Sequence, residues 1–258
     1  MGTIYCPLFF ILLTLSTACG NQFSSQKSKT LKISSYNVRN AKGMDNVNDF
    51  DRVANVINDM DAYAIAIQEL DSATERSKGI VVLNELAKRT NMHASFNGSI
   101  EYQGGKYGNG ILTREKPIRK EAIALPGREE RRSLLIVELA DFVICGTHLS
   151  LNNEDRKSSM EIIENQTKKY SSKPVFLVGD LNATPESEEI VSLSENWIML
   201  SDPSQPTFPS DNPDRTIDYL FLKRSDDFTH SVIATEVMNE PIASDHRPLW
   251  VELKIERK

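Results

Sequence analysis

Hydrophobic and polar positions along the chain follow two rhythms, one typical of strands and one typical of helices. The segment 31–38 alternates apolar and polar residues, as a half-buried strand does. The segment 48–61 instead places Val53, Ile57 and Met60 three or four residues apart, which is the spacing of an amphipathic helix. Both rhythms recur further along, so the chain is predicted to mix strands and helices.

The same rhythms predict the remaining elements. Further helices are expected at 81–90 and 153–170. Further strands are expected at these apolar or alternating segments: 62–69, 109–114, 118–125, 131–139, 141–149, 174–180, 217–222, 230–237 and 249–255. A break at Ala140–Asp141 between two apolar runs indicates a tight hairpin. The mixture predicts an α/β or α+β fold with a mixed or antiparallel sheet system, in a single domain spanning 31–258.

The N-terminal segment differs from everything that follows it. An apolar run extends to Leu15, and small residues, Cys19 and a polar stretch come next. The run is too short for a comfortable membrane span and is typical of a secretory signal. Its end, LSTAC, resembles the lipobox of bacterial lipoproteins, so we expect a signal segment at 1–19, lipidation of Cys19 and a polar tether at 20–30. Because Ser16 stands where the lipobox prefers Leu, a signal without lipidation is the alternative.

Composition narrows the classes of partner and compartment. The 258 residues carry a formal net charge of −6 and only 7% are aromatic, so tight binding to nucleic acid through overall charge or base stacking is not expected. Beyond the signal segment the one cysteine is Cys145, in an apolar run, which predicts a buried thiol and no internal disulfide. We expect an exported bacterial monomer of the cell envelope, anchored to the membrane by lipid, or otherwise periplasmic or secreted.

Polar residues that suit chemistry stand at the ends of the predicted strands. They are Asn37, Glu69, His148, Asp180, Asn182, Asp218, Asp245 and His246. Each alone fits a cap or a turn, but α/β proteins also build sites at strand ends, because the sheet fixes their positions. Carboxylates with an amide form a hard-oxygen set suited to Mg²⁺ or Mn²⁺, and histidines beside carboxylates can stay protonated near neutral pH. Such a set can stabilise a pentacoordinate phosphoryl transition state.

Seven short motifs that contain these residues resemble, in order, those of the endonuclease/exonuclease/phosphatase superfamily, whose members include deoxyribonuclease I. They are YNVRN, IAIQE, YGNGILTR, GTHLS, VGDLNATP, TIDYLF and SDHRPLWVEL. The resemblance extends from about Leu31 to Leu253. It implies the α/β fold of that superfamily, a four-layered sandwich in which two mixed, mostly antiparallel sheets pack between helices. It also implies a metal-dependent phosphoesterase.

The resemblance further implies which residues hold the metal and the water. Glu69 would be the main metal carboxylate, with Asn37 beside it and Asp245 near the ion, and the cofactor would be Mg²⁺ or Mn²⁺. Asp180 would orient and deprotonate the attacking water. Asn182 would hold a non-bridging oxygen of the phosphate.

Other matching residues are implied to contact the phosphate and the rest of the substrate. His246 would donate to the scissile phosphate, with Asp218 fixing its ring from behind. His148 would contact the phosphate or help to protonate the leaving oxygen. Tyr107 and Asn109, in a Gly-rich loop, would contact the substrate.

Arginines and one aromatic residue set further expectations about the substrate. The most basic stretch is 114–132, which is either a solvated face or the place where Arg131 or Arg132 grips a substrate phosphate. Arg39 stands where abasic-site repair enzymes carry an acidic residue, which argues against DNA repair. A later Pro-rich loop, residues 204–215, could border the site, and Phe208 within it is expected to pack over the rim rather than to contact substrate.

The predicted function is a metal-dependent phosphodiesterase that acts on extracellular nucleic acid or on lipid or inositol head groups. A phosphomonoesterase of the same fold is one alternative, and a binding protein that keeps the scaffold without catalysis is another. A serine hydrolase using Ser244 or Ser150 is a further class, but no nucleophile-elbow motif surrounds either serine.

Overall fold

The computed structural model describes residues 1–2 and 28–258, and within them twelve strands and four α-helices. The strands are β1 Ser28–Asn37, β2 Ala64–Ser72, β3 His93–Tyr102, β4 Gly105–Thr113, β5 Arg119–Leu125, β6 Arg132–Glu138, β7 Val143–His148, β8 Val175–Asp180, β9 Trp197–Met199, β10 Asp218–Lys223, β11 Phe228–Val237 and β12 Leu249–Arg257. The helices are α1 Phe50–Met60, α2 Val82–Thr90, α3 Asn153–Thr167 and α4 Glu188–Leu193. Within the described part of the chain, no helix is long and apolar enough to cross a membrane. Cys19, most of the predicted signal segment and most of the predicted tether lie outside the described residues.

Two six-stranded sheets form the framework. The first has the strand order β11-β12-β1-β2-β4-β3, and the second has the order β5-β6-β7-β8-β10-β9. Neighbouring strands are antiparallel except for two parallel pairs, β1 with β2 and β7 with β8. Helices α1 and α3 provide the crossovers of these two pairs. The carboxyl ends of each parallel pair therefore lie together at one edge of their sheet.

Apolar side chains fill three interfaces between these elements. The inner faces of the two sheets meet in a cluster that includes Ile33 and Phe176. Helices α1 and α2 cover the outer face of the first sheet, with Ile57 fully buried against it. Helices α3 and α4 cover the second sheet, where Ile163 belongs to the buried cluster. The result is the four-layered α/β sandwich that the resemblance implied.

Helix α1 illustrates how local sequence sets the bounds of an element. Asp49 precedes it and its Oδ1 accepts the backbone N–H of Arg52 at 2.9 Å, which caps the first turn. The helix ends where Asp61 adopts a left-handed conformation with φ 49°. Val53 and Met60 lie on its buried face, which confirms the predicted periodicity.

The observed elements differ from the predicted ones at several points. β1 begins at Ser28, inside the predicted tether, because residues 28–30 pair with β12. β4 begins at Gly105, earlier than predicted, and pairs with β3, whose small and polar residues did not mark it as a strand. α3 ends at Thr167 and is followed by a short 3₁₀ turn. The short elements α4 and β9 were not predicted.

Candidate active site

Most of the predicted site residues, which come from both sheets, meet at one edge of the sandwich. Asn37 ends β1, His148 ends β7 and Asp180 ends β8, all at carboxyl ends of parallel strands. Asp218 begins β10, which runs antiparallel to β8, so it starts at the same edge. The loop before β12 adds His246, whose imidazole faces both aspartates. Chain direction in the two sheets therefore accounts for the assembly of the site.

Strand register aligns three of these side chains within the second sheet. His148 pairs with Asp180 across β7 and β8, and Asp180 pairs with Asp218 across β8 and β10, so the three form one row. Gly179 precedes this row with φ 149°, and a Cβ at this position would lie 2.0 Å from the carbonyl oxygen of Thr147. Glycine thus lets β8 approach β7 closely where it delivers Asp180.

Glu69 reaches the site through an irregularity in β2. The pairing of β2 with β4 shifts register between Ile67 and Leu70, and Glu69 between them has a left-handed φ of 60°. Such a conformation is costly for a residue other than glycine and persists where surrounding contacts hold it. The bulge directs Glu69 into the cleft, where its Oε1 accepts from Asn37 Nδ2 at 3.0 Å.

Asn37 and Asp180 link the two sheets at the centre of the site. The Asn37 amide also donates to Asp180 Oδ2 at 3.2 Å and lies 3.5 Å from His246 Nε2. Asp180 Oδ2 is 3.4 Å from His148 Nε2 and 3.6 Å from His246 Nε2. A single carboxylate oxygen therefore faces two imidazole rings and one amide.

The two histidines differ in charge. Burial disfavours the charged form of His246, but the charges of Asp218 and Asp180 and a 2.9 Å contact from Nδ1 to Asp218 outweigh it and raise the His246 pKa to about 10. Burial lowers the pKa of His148 to about 4. The positive charges of Arg132 and His246 also lower this pKa, and together with burial they outweigh the opposite effect of Asp180. At neutral pH the site thus holds one imidazolium and one neutral imidazole. The expectation of protonated histidines applies to His246 and not to His148.

The site residues described above border a cleft of about 560 Å³. Its lining includes Glu69, Tyr107, Arg132, His148, Asp180, Asn182, Asp245 and His246. Asn37 and Asp218 lie behind this lining and are fully buried. The cleft therefore contains, or is backed by, all the residues implied to act on the metal, the water and the phosphate.

Two residues predicted to bind substrate lie away from this cleft. Arg131 is exposed and lines a neighbouring depression, whereas the next residue, Arg132, faces the cleft. The difference follows from the alternation of side chains at the start of β6. Asn109 is buried between the sheets and donates to the carbonyl oxygen of Ser133 at 3.3 Å.

The sequence predicted that Tyr107 and Asn109 lie in a Gly-rich loop. Both belong to strand β4, so this prediction was wrong.

One wall of the cleft holds Tyr107 in a fixed position. The Arg76 guanidinium packs against the rings of Tyr102 and Tyr107, with its Cζ 4.6 and 5.3 Å from their centroids. Arg76 is itself held by two hydrogen bonds, of 2.6 and 2.8 Å, to the buried carboxylate of Asp71. Burial and the charge of Glu69 raise the pKa of Tyr107, so its hydroxyl stays protonated and can act as a donor.

Sequence reasoning did not assign Thr207 or Arg215 to the site, although both contact residues that line or back the cleft. Thr207 Oγ1 donates to Asp218 Oδ2 at 2.6 Å. The Phe208 ring packs against His246 with centroids 4.7 Å apart, in agreement with the expected packing role. Arg215 lines the cleft and its Cζ lies 5.3 Å from the Phe208 centroid. The available signals were the Pro-rich loop 204–215, which could border the site and ends at Arg215, and the position of Arg215 directly before the TIDYLF motif.

Asp180, Asp218 and His246 offer ligand atoms within 4.8 Å of one another and could in principle hold a cation. Asp218 Oδ2, however, already accepts from Thr207 and contacts His246 Nδ1. A protonated imidazole also has no lone pair to give to a metal. This cluster is therefore better described as a hydrogen-bonded relay than as a metal centre.

Glu69 fits a cation better. Among the described residues, its carboxylate has one hydrogen-bond partner, Asn37, and burial raises its pKa, with the charges of Asp245 and Asp180 acting in the same direction. These carboxylates concentrate negative charge that His246 and Arg39, 3.5 Å from Asp245, offset in part, and a bound cation would offset it further. Asn37 Oδ1 accepts the Arg39 N–H at 3.2 Å, so the amide would have to turn to offer its oxygen to an ion beside Glu69.

The two serines considered as nucleophiles have structural partners. Ser244 Oγ donates to the carbonyl oxygen of Asn37 at 2.7 Å and joins the last loop to β1. Ser150 Oγ donates to the Glu129 carboxylate at 2.7 Å. Neither hydroxyl contacts an imidazole ring in the described part of the chain. Cys145 is fully buried, and burial raises its pKa to about 12, as a core thiol requires.

A known family matches this fold and these residues. The Endonuclease/Exonuclease/phosphatase family matches residues 34–246, which include every motif residue from Asn37 to His246. The chain therefore belongs to this family. No curated protein matches the chain significantly.

Solved structures share the fold. An endonuclease/exonuclease/phosphatase from Beutenbergia cavernae DSM 12333 has a TM-score of 0.73 at 22% identity, over 88% of this chain and 72% of its own. The mannosyl-6-phosphatase of Bacteroides thetaiotaomicron VPI-5482 has a TM-score of 0.68 at 17% identity, over 86% and 99%. D. rerio TDP2 complexed with a single-strand DNA product has a TM-score of 0.68 at 18% identity, over 87% and 98%. At these identities the likeness concerns the fold alone.

Proposed function

We propose that the protein is a divalent-metal-dependent phosphodiesterase that cleaves a P–O bond by in-line attack of water. The observation that carries this proposal is the position of Asp180 at the base of the cleft. One of its carboxylate oxygens faces His148 and His246, and the other accepts the backbone N–H of Asn182 at 3.0 Å. A carboxylate fixed in this way can orient a water and take its proton. Membership of a family of phosphoester hydrolases supports the same class.

The scissile phosphate would lie between His246 and Asn182. The imidazolium of His246, held by Asp218, would donate from Nε2 to a non-bridging oxygen and stabilise the charge that develops there. Asn182 has a left-handed φ of 49°, and its amide donates one hydrogen to the carbonyl oxygen of Leu149 at 3.0 Å. The second hydrogen of that amide remains for the phosphate.

The leaving oxygen would accept a hydrogen bond on the side of the cleft formed by Tyr107. Burial raises the pKa of that hydroxyl, so it stays un-ionised and acts as a hydrogen-bond donor, while solvent in the cleft would supply the proton as the P–O bond breaks. His148 is neutral at pH 7, so its proposed role is to contact the phosphate through one ring nitrogen.

The cation would be held by Glu69 and Asp245, with Asn37 contributing its oxygen once the amide has turned. Carboxylate and amide oxygens suit Mg²⁺ or Mn²⁺. When bound, the ion would supply positive charge that offsets the charge of the phosphoryl transition state.

The proposed substrates are extracellular nucleic acid and lipid or inositol head groups. The DNA product in the structure of TDP2 supports the first class. A phosphomonoesterase is the second candidate, because the mannosyl-6-phosphatase shares the fold across 99% of its length. A binding protein without catalysis has less support, since Glu69, Asp180 and His246 are all present and in contact with the rest of the site.

We also propose that the protein is an exported monomer of the bacterial cell envelope, anchored to the membrane through lipidated Cys19. The support is the sequence pattern that ends at Cys19. Labelling cells with a radioactive fatty acid tests the anchor. We expect the unmodified protein to be labelled and the Cys19→Ala variant to lose the label. Absence of label on the unmodified protein would indicate that the protein is exported without a lipid anchor.

The enzymatic proposal is tested by comparing the purified protein with Asp180→Asn and His246→Gln in Mg²⁺, Mn²⁺ or EDTA. Substrates are plasmid DNA, RNA, sphingomyelin, glycerophosphoinositol, bis-p-nitrophenyl phosphate and the monoester p-nitrophenyl phosphate. We expect metal-dependent cleavage of diesters, lowered by about 10²–10⁴-fold in each variant. His230→Gln, in β11 and away from the cleft, is the matched control. Preference for the monoester would select the second candidate, and full activity in EDTA would refute metal dependence.

A further inference from the structure

A loop on one wall of the cleft is closed at its base by Phe208 and Arg215. The Phe208 N–H donates to the Arg215 carbonyl oxygen at 3.1 Å, and the Arg215 N–H donates back at 3.1 Å. The Arg215 guanidinium also packs against the Phe208 ring. These contacts fix Arg215 at the cleft, whereas Asp211, Asn212 and Asp214 further out in the loop are exposed.

The same aromatic ring connects Arg215 to the imidazole of the site. Phe208 contacts His246 with ring centroids 4.7 Å apart, and Arg215 lies 5.3 Å from the Phe208 centroid. The guanidinium is therefore one side chain away from the group that would hold the scissile phosphate. Arg215 and His246 also line the same cleft, so an anion bound by Arg215 would lie in the cleft that holds that phosphate.

Arg215 is the less neutralised of the two arginines that line the cleft. The Arg132 side chain is 8% exposed and forms ion pairs of 3.1 Å with Glu130 and 3.6 Å with Glu129. The Arg215 side chain is 51% exposed, and its Nε contacts Asp214, which is 63% exposed. Ion pairs between exposed side chains contribute little. Among the described residues, no hydrogen bond engages the two Nη groups of Arg215, so its outer edge is open to a ligand.

We propose that Arg215 and Phe208 form a subsite for a second phosphate group of the substrate. This inference rests on the proposed phosphodiesterase function, which places the scissile phosphate at His246. A guanidinium presents two parallel donors that match phosphate oxygens, and its stacking on Phe208 holds that plane in place. The substrate class is therefore a phosphodiester that carries a further phosphate beside the bond that is cleaved.

The test compares diesters that differ by one phosphate. One set is d(TpT), d(pTpT) and d(TpTp), and a second set is glycerophosphoinositol and its 4-phosphate, so the two sets distinguish a nucleotide from an inositol source. The variants are Arg215→Gln, Arg215→Lys and Asp214→Asn. The matched control is Arg224→Gln, which removes an exposed guanidinium just beyond the opposite end of β10.

In one of these sets, the unmodified protein should cleave a doubly phosphorylated member with a kcat/KM about tenfold above that of the simple diester. Arg215→Gln should remove this preference while leaving cleavage of the simple diester within about twofold, and Arg215→Lys should keep part of it. Asp214→Asn should keep or increase it, and Arg224→Gln should match the unmodified protein. The subsite, but not the proposed function, would be overturned if Arg215→Gln kept the preference for the doubly phosphorylated diester. It would also be overturned if Arg215→Gln lowered kcat/KM equally for that diester and for the simple diester. Failure of the unmodified protein to cleave any diester would overturn the proposed function on which the subsite rests.

Discussion

Thr207 influences the site without facing the cleft. Its side chain is fully buried, and its hydroxyl donates to the same Asp218 oxygen that faces His246 Nδ1. The Thr207 oxygen in turn lies 3.3 Å from the backbone N–H of Asp218. Asp218 Oδ1 has no partner among the described residues, so Oδ2 carries the contacts that orient this carboxylate. Thr207 is therefore a positioning residue that acts on His246 through Asp218.

Replacement of Thr207 by Val removes the hydroxyl and keeps the shape of the side chain. We expect kcat to fall by about tenfold with little change in KM, because the Asp218 carboxylate loses one donor and holds the imidazole less firmly. Thr207→Ser restores the hydroxyl and should restore most of kcat. Steady-state kinetics on a diester substrate measure both constants, and circular dichroism checks the fold. An unchanged kcat in Thr207→Val would show that Asp218 needs no support.

Sequence indicates which residues come together at the cleft where each borders an apolar run, and does not do so where their positions depend on the fold around them. Asp180 and His246 were identified because strand ends are fixed by the pattern of the strand itself. Arg131 and Arg132 could not be distinguished, since the phase of side-chain alternation depends on where β6 begins. Arg215 was not predicted to line the cleft, because its position depends on closure of a loop onto the imidazole.

At the level of elements, the close contact between β7 and β8 determines where the central carboxylate lies. Gly179 pairs with Thr147 in this parallel pair, and its φ of 149° is rarely adopted by residues with a side chain. The next residue is Asp180, whose oxygen lies within 3.6 Å of both imidazole rings. A small shift of β8 would therefore be transmitted directly to the site.

Gly179→Ala should destabilise the protein and reduce activity together. The added Cβ would meet the Thr147 carbonyl oxygen at 2.0 Å, so β8 has to move away from β7. We expect a loss of about 2–4 kcal/mol in the free energy of unfolding, together with a kcat lowered by at least about tenfold. Urea denaturation and diester kinetics measure the two effects. Gly104→Ala is the control, because Gly104 also has a positive φ but its Cβ would meet nothing within 4 Å. Equal stability of the two variants would contradict the role of the close contact.

Elements with a marked apolar pattern were predictable, whereas a very short strand and a half-exposed strand were not. Helix α1 has a clear periodicity and strand β8 a continuous apolar run, and both lie where these patterns indicated. Strand β9 has three residues, too few for any period to show, and it exists because it pairs with β10. Strand β3 is largely half-exposed, so its residues carry little hydrophobic signal. Tertiary pairing rather than local pattern defines these two strands.

At the scale of the whole molecule, packing of the two sheets brings like charges together. The first sheet supplies Asn37 and Glu69, and the second supplies Asp180 and Asp218, while the loop before β12 adds Asp245. The core between the sheets fixes their separation, so these carboxylates cannot move apart without disturbing it. His246 and Arg39 offset part of this negative charge, and a bound cation would offset more of it.

Glu69→Gln should accordingly stabilise the metal-free protein. Burial raises the pKa of Glu69, which means that folding disfavours its charged form at pH 7, and a neutral amide of the same size removes that penalty while still accepting from Asn37. We expect Tm in EDTA to rise by roughly 2–4 °C, the shift that about 1 kcal/mol produces in a domain of this size.

Addition of Mg²⁺ should raise the Tm of the unmodified protein and leave that of Glu69→Gln nearly unchanged, because the main ligand is lost. Differential scanning calorimetry with and without the ion measures both shifts. Glu195→Gln removes an exposed carboxylate far from the cleft and should behave as the unmodified protein does. A lower Tm of Glu69→Gln in EDTA would show that the carboxylate stabilises the fold, and an unaltered Mg²⁺ shift would place the ion elsewhere. The two measurements together separate what Glu69 costs the fold from what it contributes to the site.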